Sequence, residues 1–242
     1  MILKEHFETI GQKLFRYRSY LPLLFILFIL FAVDDMQRLH FSTLNHLVEW
    51  LSLAFIVAGL LVRIITVGQA AKGTSGRNTK NQVAKALNTT GFYSVVRHPL
   101  YLGNFLIFFG CILLLQVPWL AFLSVTTFWL YYERIMVAEE AYLITNYAES
   151  YLQWAENTPA FVPNFKNWQK SEIPFSTKKA IRGEYTTLMA TILTANVLIL
   201  IEDSLRKHEI YFRPNWLYFL AISIFVYLVI RLLKKKTSLL TN

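Results

Sequence analysis

The 242-residue chain is 55% hydrophobic and only 16% charged, with a mean hydropathy of +0.40. Soluble domains carry about 25% charged residues, so this composition excludes an ordinary water-soluble domain. A formal net charge of +9 points to anionic lipid headgroups before nucleic acid, and a single cysteine, Cys111, excludes an internal disulfide or a cysteine-built metal cluster.

Six apolar stretches follow one another: 20–33, 48–67, 100–115, 119–132, 185–201 and 216–233. A membrane helix needs roughly 20 residues to cross about 30 Å of hydrocarbon. The first stretch reaches that length only by extending back to Leu14, with Arg16 and Arg18 snorkelling to the headgroups. Asp34-Asp35-Met36 follows it in place of a small-residue cleavage site, so it does not read as a cleaved signal peptide. The second and sixth are long enough outright. Glu49 and Arg63 lie near the ends of the second and read as snorkelling charges. Only Gln116-Val117-Pro118 separates the third from the fourth, which predicts a helical hairpin. One continuous helix there would overshoot a bilayer by ~20 Å at about 1.5 Å per residue.

The connections are long. Gly73-Thr74-Ser75-Gly76-Arg77-Asn78-Thr79 is a flexible polar string, and Asn88-Thr89-Thr90-Gly91 is a turn signal. Segment 133–156 is amphipathic through Ile135, Leu143, Tyr147, Tyr151 and Trp154, and predicts a helix at the interface or capping the bundle. Pro159, Pro163 and Pro174 keep the next stretch extended. Nineteen of the 24 Lys and Arg fall in 1–20, 68–99, 133–184 and 231–242. The positive-inside rule therefore puts those segments and both termini in the cytoplasm. The expected fold class is all-α, a polytopic integral membrane protein with about six transmembrane helices.

The densest chemistry is the string Gly91-Phe92-Tyr93-Ser94-Val95-Val96-Arg97-His98-Pro99-Leu100-Tyr101-Leu102-Gly103-Asn104. Pro99 suits the first turn of a helix, whose N-terminus then aims unpaired N–H groups at the cytoplasmic loops. Ordinary anchoring accounts for the same residues equally well, with Arg97 and His98 at headgroups and the tyrosines in an aromatic belt. A second string runs from Glu139-Glu140-Ala141-Tyr142-Leu143 through Tyr147 and Tyr151 to Pro159-Ala160-Phe161-Val162-Pro163. Adjacent helical glutamates point about 100° apart, so at most one is predicted to face a given site. A solvated acidic face is the commoner fate of such a pair. Neither string offers a nucleophile, and no His/Glu spacing suits zinc, so no metal site is expected.

In this order the two strings resemble the isoprenylcysteine carboxyl methyltransferase family and related integral membrane phospholipid and lipid methyltransferases. That family shows Gly-x-Tyr, Arg-His-Pro-x-Tyr-x-Gly, a helical hairpin, Glu-Glu-x-x-Leu and a proline-rich exit, matched here from about Asn78 to Pro163. The resemblance implies a cytoplasmic-face pocket for S-adenosylmethionine, roofed by 68–99 and 133–165. Its cofactor-binding residues would be Lys85, Ala86, Leu87, Asn88, Tyr93, His98, Pro99, Leu100, Tyr101 and Glu139, with Asn78 or Gln82 as a further polar ligand. Glu139 would pair with the amino group of the methionine moiety, and tyrosine faces suit a sulfonium. His98 and Arg134 are the catalytic candidates, and Arg77 and Arg134 the substrate-binding ones, with Lys80 also suited to an anionic headgroup. The family's substrate arginine should stand four residues before Glu139, where this chain has Ile135. The implied organisation is two membrane helices in 1–67, a methyltransferase core in 68–168 and helices five and six in 169–242.

The expected reaction is methyl transfer to a membrane-embedded lipid or lipid-linked carboxylate, phosphate or amine. Two alternatives stand beside it. One is a NADPH-dependent membrane reductase, since sterol reductases resemble Arg-His-Pro-Asn-Tyr, where this chain has Leu100 in place of Asn. The other is a non-enzymatic transporter or scaffold, which calls for polar residues at mid-membrane or broken helices in matched halves.

Overall fold

The computed structural model describes residues 3–38, 42–71, 73–74 and 85–237. Among them there are eight α-helices: α1 Leu3–Tyr17, α2 Leu21–Phe31, α3 Val33–Arg38, α4 Ser42–Gln69, α5 Pro99–Leu113, α6 Pro118–Asn157, α7 Thr177–Lys207 and α8 Pro214–Lys236. Three of these, over His46–Gln69, Thr177–Lys207 and Pro214–Lys236, are long and apolar enough to cross a membrane; Pro99–Leu113 is apolar but shorter.

The first apolar stretch does not run back through Leu14. A 3₁₀ turn at Arg18–Tyr20 separates α1 from α2. Pro22 falls in the first turn of α2, where its missing N–H leaves no bond unmade; further inside a helix it would break one. Instead of continuing a span, α1 lies along α6. Gly11 abuts the Arg134 carbonyl so closely that no Cβ would fit, and the Tyr131 hydroxyl donates to the Leu14 carbonyl at 3.0 Å.

Small residues set the α4–α5 seam. A Cβ on Gly59 would stand 2.6 Å from the Gly103 carbonyl oxygen, so the two backbones meet without side chains between them. The predicted hairpin is present: α5 ends at Leu113, Gln116 turns with φ 57°, and Pro118 opens α6. Phe105, Phe108 and Phe128 interlock the two arms. Beyond Tyr132 the structure differs from the expectation of a separate interfacial element. α6 runs on through the amphipathic segment, broken only at Ala148 (φ 43°, ψ −119°). No proline or glycine lies between Trp119 and Asn157, so nothing local stops the helix.

The proline-spaced stretch 158–176, interrupted by a 3₁₀ turn at Phe165–Asn167, straps the loop before α5. Arg97 N–H donates to the Pro159 carbonyl at 2.8 Å, Asn164 N–H to the Val95 carbonyl at 2.9 Å, and Gly91 N–H to the Gln169 carbonyl at 3.0 Å. Helix α7 then packs on α4, and α8 on α7.

The two charges read as snorkelling are ion-paired between helices. Arg63 is held bidentately by Glu184 of α7, at 2.8 Å for both bonds, and donates to the Asn104 side chain at 2.5 Å. Glu49 pairs with Arg213 at 2.7 Å, and Arg213 also grips Asp203. Glu184 and Arg213 stand more than a hundred residues from these partners in sequence. Helix packing brings them close enough for pairing to replace the headgroups as the destination of the charge.

Candidate active site at the mouth of the hairpin

Three elements converge at the N-terminus of α5. His98 is its N-cap residue, and Pro99 its first, as the missing N–H of proline favours. The backbone cannot swing, because Arg97 and His98 N–H are pinned to the Pro159 and Ala160 carbonyls at 2.8 and 3.2 Å. The buried imidazole of His98 therefore projects onto α6, where it meets both glutamates: Nε2 lies 3.1 Å from Glu140 and Nδ1 3.4 Å from Glu139.

That arrangement corrects the expectation that only one of the pair faces a given site. The two ring nitrogens lie on opposite sides of the imidazole, so a ring placed over the helix between two carboxylates about 100° apart receives both. Burial works against the charge on His98, but hydrogen bonds and charge from Glu139 and Glu140 outweigh it and hold its pKa above the ordinary histidine value. Burial likewise works against both carboxylates, yet His98 outweighs it and holds each below the usual range. Arg97 adds a second ion pair to Glu140 at 3.3 Å.

Aromatic rings wall the clamp. Tyr101 stacks on His98 with centroids 5.5 Å apart, and Tyr132 meets Tyr101 edge-on at 5.1 Å. Tyr93 hangs beside Glu139; burial first, and then that charge, push its hydroxyl pKa up. The Tyr93 carbonyl accepts from the Trp154 indole at 3.1 Å, tying the loop to the last turns of α6. The buried Tyr151 hydroxyl sits by Arg97 and Glu140.

Of the residues singled out in the sequence, Tyr93, His98, Pro99, Tyr101 and Glu139 come together here, and Leu100 follows half-buried in the first turn of α5. Asn88 has another employment: its Oδ1 accepts from Ala71 N–H at 2.8 Å and its Nδ2 donates to Thr74 at 3.0 Å, closing the end of α4. Lys85 runs exposed alongside Gly73, and Ala86 and Leu87 are half-buried in the same loop. Arg134 turns onto α1, its guanidinium 4.7 Å from the Phe7 ring and bonded to the Leu130 carbonyl. Ile135, fully buried, packs with Phe15, Tyr101 and Phe128. Arg77, Asn78, Lys80 and Gln82 lie outside the described residues.

Residues 48–150 match the phospholipid methyltransferase family. The chain is 30% identical over 113 residues to a protein-S-isoprenylcysteine O-methyltransferase of Schizosaccharomyces pombe, covering 46% of this chain and 48% of that protein. The corresponding Saccharomyces cerevisiae protein is 28% identical over 134 residues, 55% of this chain and 56% of that one. Over these residues the chain is similar to the membrane methyltransferases.

A nickel-cobalt-cadmium resistance protein of Alcaligenes xylosoxydans xylosoxydans is also similar, at 36% identity over 117 residues, 47% of this chain and 52% of that protein. The chain thus spans about half the length of the curated relatives it matches, and no solved structure matches it. The matched residues hold the whole His98–Glu139–Glu140 clamp with Tyr93, Tyr101 and Tyr132. One further contributor escaped the sequence reading: Tyr132, which meets Tyr101 edge-on, closes the first stretch of α6 without any motif.

Proposed function

We propose that the protein transfers a methyl group from S-adenosylmethionine to a lipid or lipid-linked acceptor, at a site on the cytoplasmic face of a six-span bundle. The observation that supports it most is the His98 clamp, a fixed ionic centre faced by Tyr93, Tyr101 and Tyr132 inside the residues that match phospholipid methyltransferases. When bound, S-adenosylmethionine supplies an electrophilic methyl on a positively charged sulfur.

The residues present suit such a group. Tyrosine faces attract a sulfonium, and Glu139, with about a third of its side chain exposed, keeps acceptor capacity for an ammonium beside its bond to His98. His98 fixes the direction of Glu139 and carries Tyr101 on its face, so its role is orientation. The aromatic walls exclude water, which strengthens every charge interaction inside. A carboxylate or phosphate acceptor is already anionic near neutral pH and needs no general base; positioning is then the main catalytic contribution.

A thermal-shift assay on purified protein tests the reading. S-adenosylhomocysteine is expected to raise the melting temperature and NADPH to leave it unchanged, since only a ligand of the folded state stabilises it. Stabilisation by NADPH alone would transfer the site to the reductase reading. For sidedness, a cysteine at Thr74 is expected to react only from the cytoplasmic side and one at Glu209 only from outside; the reverse pattern would invert the topology.

A further inference from the structure

The strap between α6 and α7 has two sides of opposite chemistry. Pro159, Pro163 and Pro174 deny it a long helix, so its backbone polar groups must find partners elsewhere. They find them in the loop that carries Tyr93 and His98. Besides the bonds that join the strap to Gly91, Val95, Arg97 and His98, Gln169 N–H donates to the Ser94 hydroxyl at 2.9 Å and Glu172 N–H to the Thr90 hydroxyl at 3.3 Å. Phe161 turns inward to Phe105 and Phe128, and Trp168 meets Phe92 edge-on at 5.8 Å.

The outer side is apolar and basic. Val162 is 74% exposed and Phe165 66%, and Trp168, Ile173 and Phe175 are exposed as well. Lys166, Lys170, Lys178 and Arg182 stand exposed among them, and Glu172 is the one acid in 158–182. Lys179 turns back to α4, where it donates to the Ala70 carbonyl.

The membrane helices beside it set the level of this outer side. Ser176 N–H donates to the Gly68 carbonyl at 3.0 Å, and the Phe175 ring fills the space where a Gly68 side chain would stand. Gly68 lies in the last turn of the apolar helix over His46–Gln69, and Thr177 begins the next such helix. Two apolar helices therefore meet the strap at their ends, at the level where hydrocarbon gives way to headgroups. Tryptophan and phenylalanine settle at that boundary, and lysines there reach the headgroups on apolar stems.

We propose that the strap is an interfacial anchor. Its outer side chains lie in the anionic leaflet of the protein's own bilayer, and the hydrogen bonds of its inner side pass that seating on to the clamp. Anionic headgroups attract each lysine strongly enough to shift an equilibrium about fivefold. Arg97 and His98 N–H hang from the Pro159 and Ala160 carbonyls, so a seated strap holds the imidazole over both glutamates. The consequence for S-adenosylmethionine rests on the methyl-transfer reading; the seating on lipid does not.

The test uses full-length protein in nanodiscs of phosphatidylcholine, alone or mixed with phosphatidylglycerol. Cys111 is buried, so an environment-sensitive fluorophore goes to the thiol of Phe165→Cys. In mixed discs the label is expected to emit further to the blue than in phosphatidylcholine. A lipid carrying a nitroxide just below its headgroup is expected to quench it. Adding Lys166→Gln, Lys170→Gln and Lys178→Gln together should abolish the dependence on lipid charge. Lys234→Gln, Lys235→Gln and Lys236→Gln remove as much charge from the end of α8 and should preserve it. All six lysines are exposed, so none of these changes opens the core. A label that stays in water in both discs overturns the proposal and leaves this face to a soluble partner. A charge dependence that survives in the strap variant, or is lost equally in the α8 variant, overturns it too. S-adenosylhomocysteine is expected to bind wild type about fivefold or more tightly in mixed discs, and the strap variant equally in both. Equal affinity for wild type overturns the coupling to the clamp. No S-adenosylhomocysteine binding in either disc sinks the methyl-transfer reading, while the label still decides the seating.

Discussion

Two ionic centres sit about a helix width apart in chain order along α5, His98 at its first turn and Asn104 with Arg63 less than two turns further in. Both are built of one cation between carboxylates or amides, yet they are finished differently. The Arg63 and Glu184 side chains are 12% and 6% exposed and bonded through both oxygens, with Asn104 and Thr187 completing the guanidinium. In the His98 clamp the carboxylates remain 32% and 23% exposed, reach the ring at longer distances, and face tyrosines. A saturated, enclosed pair fastens α4 to α7. A centre left with open acceptor capacity and aromatic walls has something to offer a ligand. Charge in an apolar chain is thus no guide to function until its partners are counted.

The largest expected effect comes from breaking the enclosed pair. Arg63→Met leaves Glu184 buried without its cation and is expected to cost about 3–5 kcal/mol, read as a lowered unfolding midpoint in detergent. Replacing both, as Arg63→Met with Glu184→Leu, should recover most of that loss, since no uncompensated charge remains. If the single variant unfolds like wild type, the fastening role is wrong and the contrast between the two centres collapses.

At the clamp the expectation is reversed, with small effects on folding and large ones on turnover. His98→Gln keeps hydrogen-bonding capacity but not the charge that fixes both glutamates. It is expected to elute as a monodisperse species while losing on the order of a hundredfold in methyl-transfer rate, the consequence of misplacing reacting groups by about 1 Å. Glu139→Gln and Glu140→Gln are expected to lose comparable amounts of activity, because each holds one nitrogen of the same ring. A loss confined to Glu139 would mean that its ligand contact, and not the shared imidazole, carries the effect.

The smallest effect, and the one that sharpens the contrast most, is pH dependence. The clamp raises the His98 pKa, so its contribution to stability is fully present below the ordinary histidine value and is lost as pH rises through the raised one. It lowers both glutamate pKa values, so their contribution is present above the usual carboxylate range and is lost as pH falls through the depressed values. Melting temperature against pH should therefore fall on both flanks by a few degrees, damped by solvent screening of the partly exposed carboxylates. In His98→Gln the alkaline flank traceable to this residue is expected to vanish. An unchanged profile in that variant would show that His98 is not the titrating partner.

Parts of this architecture were legible because their causes are local. Pro99 and Pro118 each open a helix whichever neighbours surround it, and the short 114–117 link permits only a hairpin. The ordered strings around His98 and Glu139 meet in the folded chain, as their resemblance implied they would. Local reasoning failed where geometry between elements decides: it treated Glu139 and Glu140 as mutually exclusive, since the helical wheel shows their directions but not the ring that approaches between them.

The sequence by itself determined that this is a helical membrane protein and where its main helices begin and turn. Hydropathy and the missing proline N–H act residue by residue, so they survive without any knowledge of packing. Only the tertiary structure decided which charges meet. Arg63 finds Glu184 from 121 residues away, and Arg18 stacks on Phe15, which α1 carries into the Tyr101–Tyr132 cluster. Those pairings depend on the depth and rotation of one helix against another, set here by the Gly59–Gly103 contact and by Gly11 against α6. The contacts that fix such a fit come from side chains distant in the chain, and no local pattern contains them.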